Sequence, residues 1–157
     1  MPQPVHGWIC RYSSMAAWKY VLPDRTHLSS PDFMLQSPDL SWLTHLTALT
    51  NISLNRVNLS ASSSSWGQSV SRLSQLINVT MSNCGLTGSI PPSLQKLRNL
   101  GTLHLDRNSF HSEIPAWLTN MTSLIDLQMS NANLSGHLPF ELSVMPRLGW
   151  ISLANNK

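Results

Sequence analysis

Charge is scarce in this sequence. Asp, Glu, Lys and Arg make up 11% of its 157 residues, against about a quarter in ordinary soluble domains. The ten Lys and Arg exceed the seven Asp and Glu by three, and they are scattered between Arg11 and Lys157. A nucleic-acid partner requires basic residues clustered on one face, so none is expected. Cysteine is almost missing too. Cys10 and Cys84 are the two present, and they lie far apart in the chain, which fits neither a disulfide-dense scaffold nor a metal-ligand spacing.

Long apolar runs are also lacking. No stretch approaches the roughly 18 consecutive apolar residues of a membrane span. The N-terminal MPQPVHGWICRYSSMAAWKYVLPDR has no apolar centre of about 7 to 15 residues, as a secretory leader would. The chain as written is therefore expected to carry neither leader nor anchor. Catalytic signatures fail in the same way, since HExxH, GxSxG, Walker A and GxGxxG patterns do not occur. The six histidines form no ligand set. No metal, no cofactor and no enzymatic activity are expected. Disorder is excluded as well, because 41% of the residues are apolar, enough to build a core.

Leucine and serine fill the space that charge leaves, and asparagine is frequent beside them. Their order is periodic. Apolar pairs separated by one residue recur at Ile52/Leu54, Val79/Met81, Leu103/Leu105, Leu127/Met129 and Ile151/Leu153. The steps between them are roughly 24 residues, the first slightly longer, which is a repeat length of solenoids. Apolar residues at three-residue intervals precede each pair, as in Leu94, Leu97 and Leu100 or Leu118, Met121 and Leu124. After the pairs come Val57/Leu59, Cys84/Leu86, Asn108/Phe110 and Ala132/Leu134. Period two within the pairs predicts a short strand with one buried face. Period three predicts tight helical turns on the return path. One such unit cannot bury its apolar side alone, so the units are expected to stack.

The spacing LxxLxLxxNxL, recurring with such a period, is that of the leucine-rich repeat. Three units add Leu86-Thr87-Gly88-Ser89-Ile90-Pro91, Phe110-His111-Ser112-Glu113-Ile114-Pro115 and Leu134-Ser135-Gly136-His137-Leu138-Pro139. This LxGxIP extension resembles the plant-specific class of these repeats, found in the ectodomains of receptor-like proteins and receptor-like kinases. The resemblance covers Phe33 to Lys157. It implies a solenoid with a parallel β-sheet on the concave face, and 3-10 or irregular segments and short second strands on the convex side. Residues 33–157 are expected to form about five repeats truncated at the C-terminus, and residues 1–32 an irregular segment without a proper cap. Phe33/Leu35, Pro38 and Leu40 read as a shortened first repeat. The resemblance also implies that the motif Asn bonds backbone groups at the bend. Asn108 and Asn156 keep it, while Val57, Cys84 and Ala132 replace it. Cys84 is read as a buried thiol, with a disulfide to Cys10 as the alternative, and Ser112 stands where a turn glycine is usual.

Residues flanking the buried strand positions are expected on the concave face. Most are small and neutral, but His104, Asp106, Arg107, Asp126, Gln128 and Trp150 gather in the last three units. Arg, Trp and His are effective anchors for a peptide or protein, so these six are the candidate ligand-binding residues. His104 and Asp106 share a face, yet without a nucleophile or pocket they are read as a solvated polar pair. Five N-glycosylation sequons begin at Asn51, Asn58, Asn78, Asn120 and Asn133. Attached sugar would solvate a surface so poor in charge.

What the resemblance implies for function is extracellular or cell-surface recognition of a peptide or protein ligand, with a co-receptor as a further partner, in plant defence or development. The alternatives are a secreted inhibitor of a microbial wall-degrading enzyme, built from the same repeats, and a nonfunctional gene fragment.

Overall fold

The computed structural model describes strands 8–12 and 18–23 and residues 35–37 and 39–157, with side chains from residue 36 onward within that set. The elements in chain order are β1 (Trp8–Tyr12), β2 (Trp18–Pro23), β3 (Leu35–Gln36), β4 (Asn51–Ser53), β5 (Val57–Asn58), α1 (Trp66–Ser71), β6 (Asn78–Thr80), β7 (Thr87–Gly88), β8 (Thr102–His104), β9 (Ser109–Phe110), β10 (Asp126–Gln128) and β11 (Trp150–Ser152). Five apolar pairs thus become five strands, β4, β6, β8, β10 and β11, stacked parallel in that order. Equivalent residues face each other throughout, as in Ile52↔Val79, Val79↔Leu103, Leu103↔Leu127 and Leu127↔Ile151. A one-residue slip would turn the whole apolar set to solvent, and that fixes the register.

Each strand ends in a bend that the spacing did not reveal. Arg56, Asn83, Arg107, Asn131 and Asn155 occupy one position in the five coils, and all have φ between 54° and 64°. Four of their backbone N–H groups still bond the next coil, to the carbonyls of Ser82, Asp106, Ser130 and Ala154 at 2.8 to 2.9 Å. The chain turns without leaving the ladder. Asn tolerates this left-handed region better than most residues, whereas Arg must be held there by the bonded coil.

The return path follows the period of three. Leu94 N–H bonds Pro91, Leu97 bonds Leu94 and Leu100 bonds Leu97, all to the carbonyl three residues back. Side chains three apart eclipse on a 3-10 helix, so these leucines form one inward column. The 3-10 segments are Ser41–His45, Ser60–Ser62, Pro92–Lys96, Ala116–Asn120 and Phe140–Val144. In the first full coil three extra residues allow the single α-helix among the described residues, α1, whose Trp66 is completely buried. One continuous core results, running from Leu40 to Met145, with Trp42 and Trp117 packed against it.

Two expectations for the N-terminal region are revised. Within residues 1–32, read as irregular, β1 and β2 form an antiparallel pair, and β2 lies parallel to β4 through Tyr20↔Asn51 and Val21↔Ile52. The backbone edge of β4 is thereby paired, as an exposed edge strand favours. Leu35 does not begin a concave strand, because β3 pairs with β5 in a separate two-stranded sheet, Leu35↔Val57. Phe33 and Pro38 lie outside the described residues. Farther along, β7 pairs with β9, and Glu113 bridges Ser135 in the same flank.

The asparagine ladder survives where Asn is kept. Asn108 Oδ1 accepts from Cys84 and Leu86 N–H at 3.1 Å, and its Nδ2 donates to the Met81 and Leu105 carbonyls at 2.9 and 2.8 Å. Asn156 repeats this pattern two coils on, with Ala132, Leu134, Met129 and Leu153. Where Cys84 replaces Asn, its thiol donates to the Leu54 carbonyl at 3.0 Å. The donor half of the ladder persists there and the acceptor half is lost. Cys84 is a free, fully buried thiol; the side chain of Cys10 lies outside the described residues.

Candidate functional site

Alternation along the concave strands sets which side chains can meet a ligand. In β4, β6, β8 and β10 the middle residue is buried and its two neighbours are half-buried. Strands about 4.8 Å apart then bring residues of successive coils into contact across the face. Three of the six candidate residues converge in this way. His104 Nε2 lies 2.8 Å from Asp126 Oδ2, one coil away, with side-chain exposures of 22% and 28%. Gln128 Nε2 donates to both Asp126 oxygens, at 3.2 and 3.4 Å. The cluster borders the fifth strand, where Trp150 stands opposite Asp126 in register and is 63% exposed.

The remaining two candidates are placed differently. Asp106 does not associate with His104. Its Oδ1 accepts the Ser130 N–H at 2.8 Å and its Oδ2 accepts from Ser82 Oγ at 3.3 Å. The carboxylate thus ties the second, third and fourth coils together. Asn55 makes the same kind of tie two periods earlier, accepting the Ser82 N–H at 2.8 Å. Asp106 and His104 therefore do not form the polar pair that their spacing suggested, because each is engaged by groups on neighbouring coils, Asp106 by Ser82 and Ser130 and His104 by Asp126. Arg107 is exposed at the left-handed bend, on the rim of the face.

The sequon asparagines occupy distinct surroundings. Asn51 and Asn78 are register partners, and Asn78 Nδ2 donates to Asn51 Oδ1. Asn58 accepts the Ser60 N–H at 3.0 Å, and Asn133 is half-buried with a φ of 56°. Asn120 is exposed at the end of a 3-10 segment. Among the described residues no group of three or more His, Cys, Asp or Glu could hold a metal ion, and no helix is long and apolar enough to cross a membrane.

The arrangement can bind. A carboxylate already oriented by an imidazole and an amide, next to an exposed indole, offers fixed polar groups and an apolar platform at little ordering cost. Sequence spacing named these residues because it named the strand rows. It did not reveal the bonds across coils, which depend on side-chain reach.

Residues 75–97 and 99–121 match the family model described as Leucine Rich Repeat. Over 88 residues, 53% of its length, the chain is 32% identical to the receptor-like protein EIX1 of Solanum lycopersicum, of which it spans 8%. Among solved structures it is similar to the plant peptide hormone receptor RGFR1 in complex with RGF2, at 27% identity and a TM-score of 0.61, over 78% of this chain and 19% of that one. The BIR2 ectodomain from Arabidopsis thaliana is 34% identical with a TM-score of 0.55, over 57% of this chain and 47% of that one. The chain thus spans less than half the length of each of these three.

Proposed function

We propose, from the premise that this chain is a leucine-rich-repeat solenoid homologous to plant receptor-like proteins, that it recognises an extracellular peptide or protein ligand through the concave face of its last three coils. The reading rests on one observation above all: His104, Asp126 and Gln128 are hydrogen-bonded into a single cluster beside the exposed Trp150. Elsewhere the face carries Ser53, Thr80, Asn51 and Asn78, which offer little to anchor a partner. A similar structure holding a peptide hormone at 27% identity supports the same class of ligand. The proposal assigns binding and no catalysis, places the chain at the cell surface, and gives a co-receptor the rim that includes Arg107. Defence and development are the two settings that fit.

The test is selection of random dodecapeptides displayed on phage against the whole chain, followed by affinity measurement on Gln128→Ala/Trp150→Ala. Selected peptides are expected to lose at least about tenfold in affinity on the double variant, as truncating an indole anchor does. Peptides that bind both forms equally would move the recognition surface elsewhere.

A further inference from the structure

The segments that follow the second strands carry a second feature with different chemistry. A groove of about 460 Å³ runs across three coils, lined by Ile90, Ile114 and Leu138 among its apolar residues, and by Glu113, Glu141 and His137 as its titratable ones. Neither carboxylate has a hydrogen-bond or ion-pair partner among the described residues. In a chain with a formal net charge of +3, two unpaired carboxylates beside one groove are a local reversal of sign.

Glu113 lies against the backbone of the next coil. A side chain at Gly136 would place its Cβ 2.6 to 2.7 Å from the Glu113 Cγ, Cδ and Oε1 atoms, so the glutamate lies directly over that glycine. Beside it, Ser112 stands where the neighbouring coils have Gly88 and Gly136. Those glycines have φ of 85° and 84°, and Ser112 is not among the positive-φ residues. Ser112 lines the same groove, and its Oγ is buried with no hydrogen-bond partner. A serine, two carboxylates and the His137 imidazole therefore share the lining with apolar side chains.

We propose that this groove binds an arginine side chain of a basic peptide segment, at a site separate from the concave face. The aliphatic stem of arginine covers apolar surface while its head stays at the rim. Its planar fork presents several N–H donors at once, suited to carboxylates and a hydroxyl oxygen. Lysine offers a compact, strongly hydrated charge and fits this shape less well. An anionic partner is opposed by Glu113 and Glu141.

Fluorescence anisotropy of labelled hexa-arginine, hexa-lysine and hexa-glutamate with the whole chain tests the assignment. Hexa-arginine is expected to bind more tightly than hexa-lysine, and hexa-glutamate not at all. Glu113→Gln/Glu141→Gln is expected to weaken hexa-arginine binding at least about fivefold, as loss of two charge pairs implies. The thermal unfolding midpoint, which reports folding, stays within about 2 °C, since both residues are exposed. Ala116→Arg, which places a guanidinium at the rim without removing any native polar group, is expected to weaken binding as well. Asp126→Asn on the concave face leaves it unchanged, so failure here and failure of the concave site are told apart. Equal binding by wild type and the double variant, equal affinity for arginine and lysine, or loss of binding in Asp126→Asn overturns the proposal.

Discussion

Cys84 occupies the ladder position that Asn108 and Asn156 hold in later coils, and its thiol donates to the preceding coil as their amides do. Removal from water pushes its pKa up from 9.0 to about 12, against the smaller opposing effect of backbone hydrogen bonds. The unfolded chain releases this proton near pH 9, while the folded chain holds it to about pH 12. Stability from the protonated thiol is therefore complete below pH 9 and is lost as the pH rises toward 12. Urea titrations of wild type and Cys84→Ala at pH 8, 9, 10 and 11 are expected to show a steeper decline for wild type. Parallel declines would mean that the thiol is not coupled to folding. The position was legible in the sequence from the repeat alone. The thiol's part in the ladder was not, because a pattern of residue types carries no information on which backbone carbonyl lies within reach.

At the scale of an element, the glycine of the LxGxIP segment shows how equivalent sequence positions acquire unequal demands. Gly88 and Gly136 share a left-handed φ, but a Cβ at Gly88 meets nothing within 4 Å, whereas one at Gly136 meets Glu113. Gly88→Ala is expected to cost about 1 to 2 kcal/mol, the penalty of the left-handed region for a residue with a Cβ. Gly136→Ala should cost more, and combining it with Glu113→Ala should bring the excess back down, all read from urea denaturation. Equal costs for the two single glycine variants would refute the steric part of this account. The LxGxIP spacing located these turns, and the Leu periodicity located every concave strand of the five repeats and the 3-10 segments between them. It misplaced Leu35, since a two-residue apolar pattern looks alike in a first or a second strand. It also passed over the Glu113 groove, which is assembled from three coils and has no signature within one.

Across the whole molecule, scarce charge and frequent Asn and Ser leave a surface that ionic groups solvate poorly. Leu138, Phe140 and Val144 are 63 to 79% exposed, which adds apolar area on the last coil that no sequence period marks as exposed. Sugar on the sequon asparagines is the solvating group we propose for the first coils. The geometry limits how it can be distributed. Asn51 and Asn78 stand on adjacent strands and are bonded to each other, so two branched glycans rooted about 4.8 Å apart would compete for one volume above the sheet. Asn120, exposed on a convex-side turn, has no such neighbour. Expression through a secretory route, with intact-mass and peptide-mapping spectrometry, is expected to find Asn120 occupied in most molecules and one glycan per molecule on the Asn51/Asn78 pair. In Asn78→Gln that glycan should move to Asn51 with the total unchanged. A pair that is bare, or doubly occupied on single molecules, would sink this account of how a weakly charged solenoid stays in solution. The consequence for binding follows from the same placement. A glycan on the first two coils shades that end of the concave face and leaves His104, Asp126, Gln128 and Trp150, farther along the stack, as the open end for a partner.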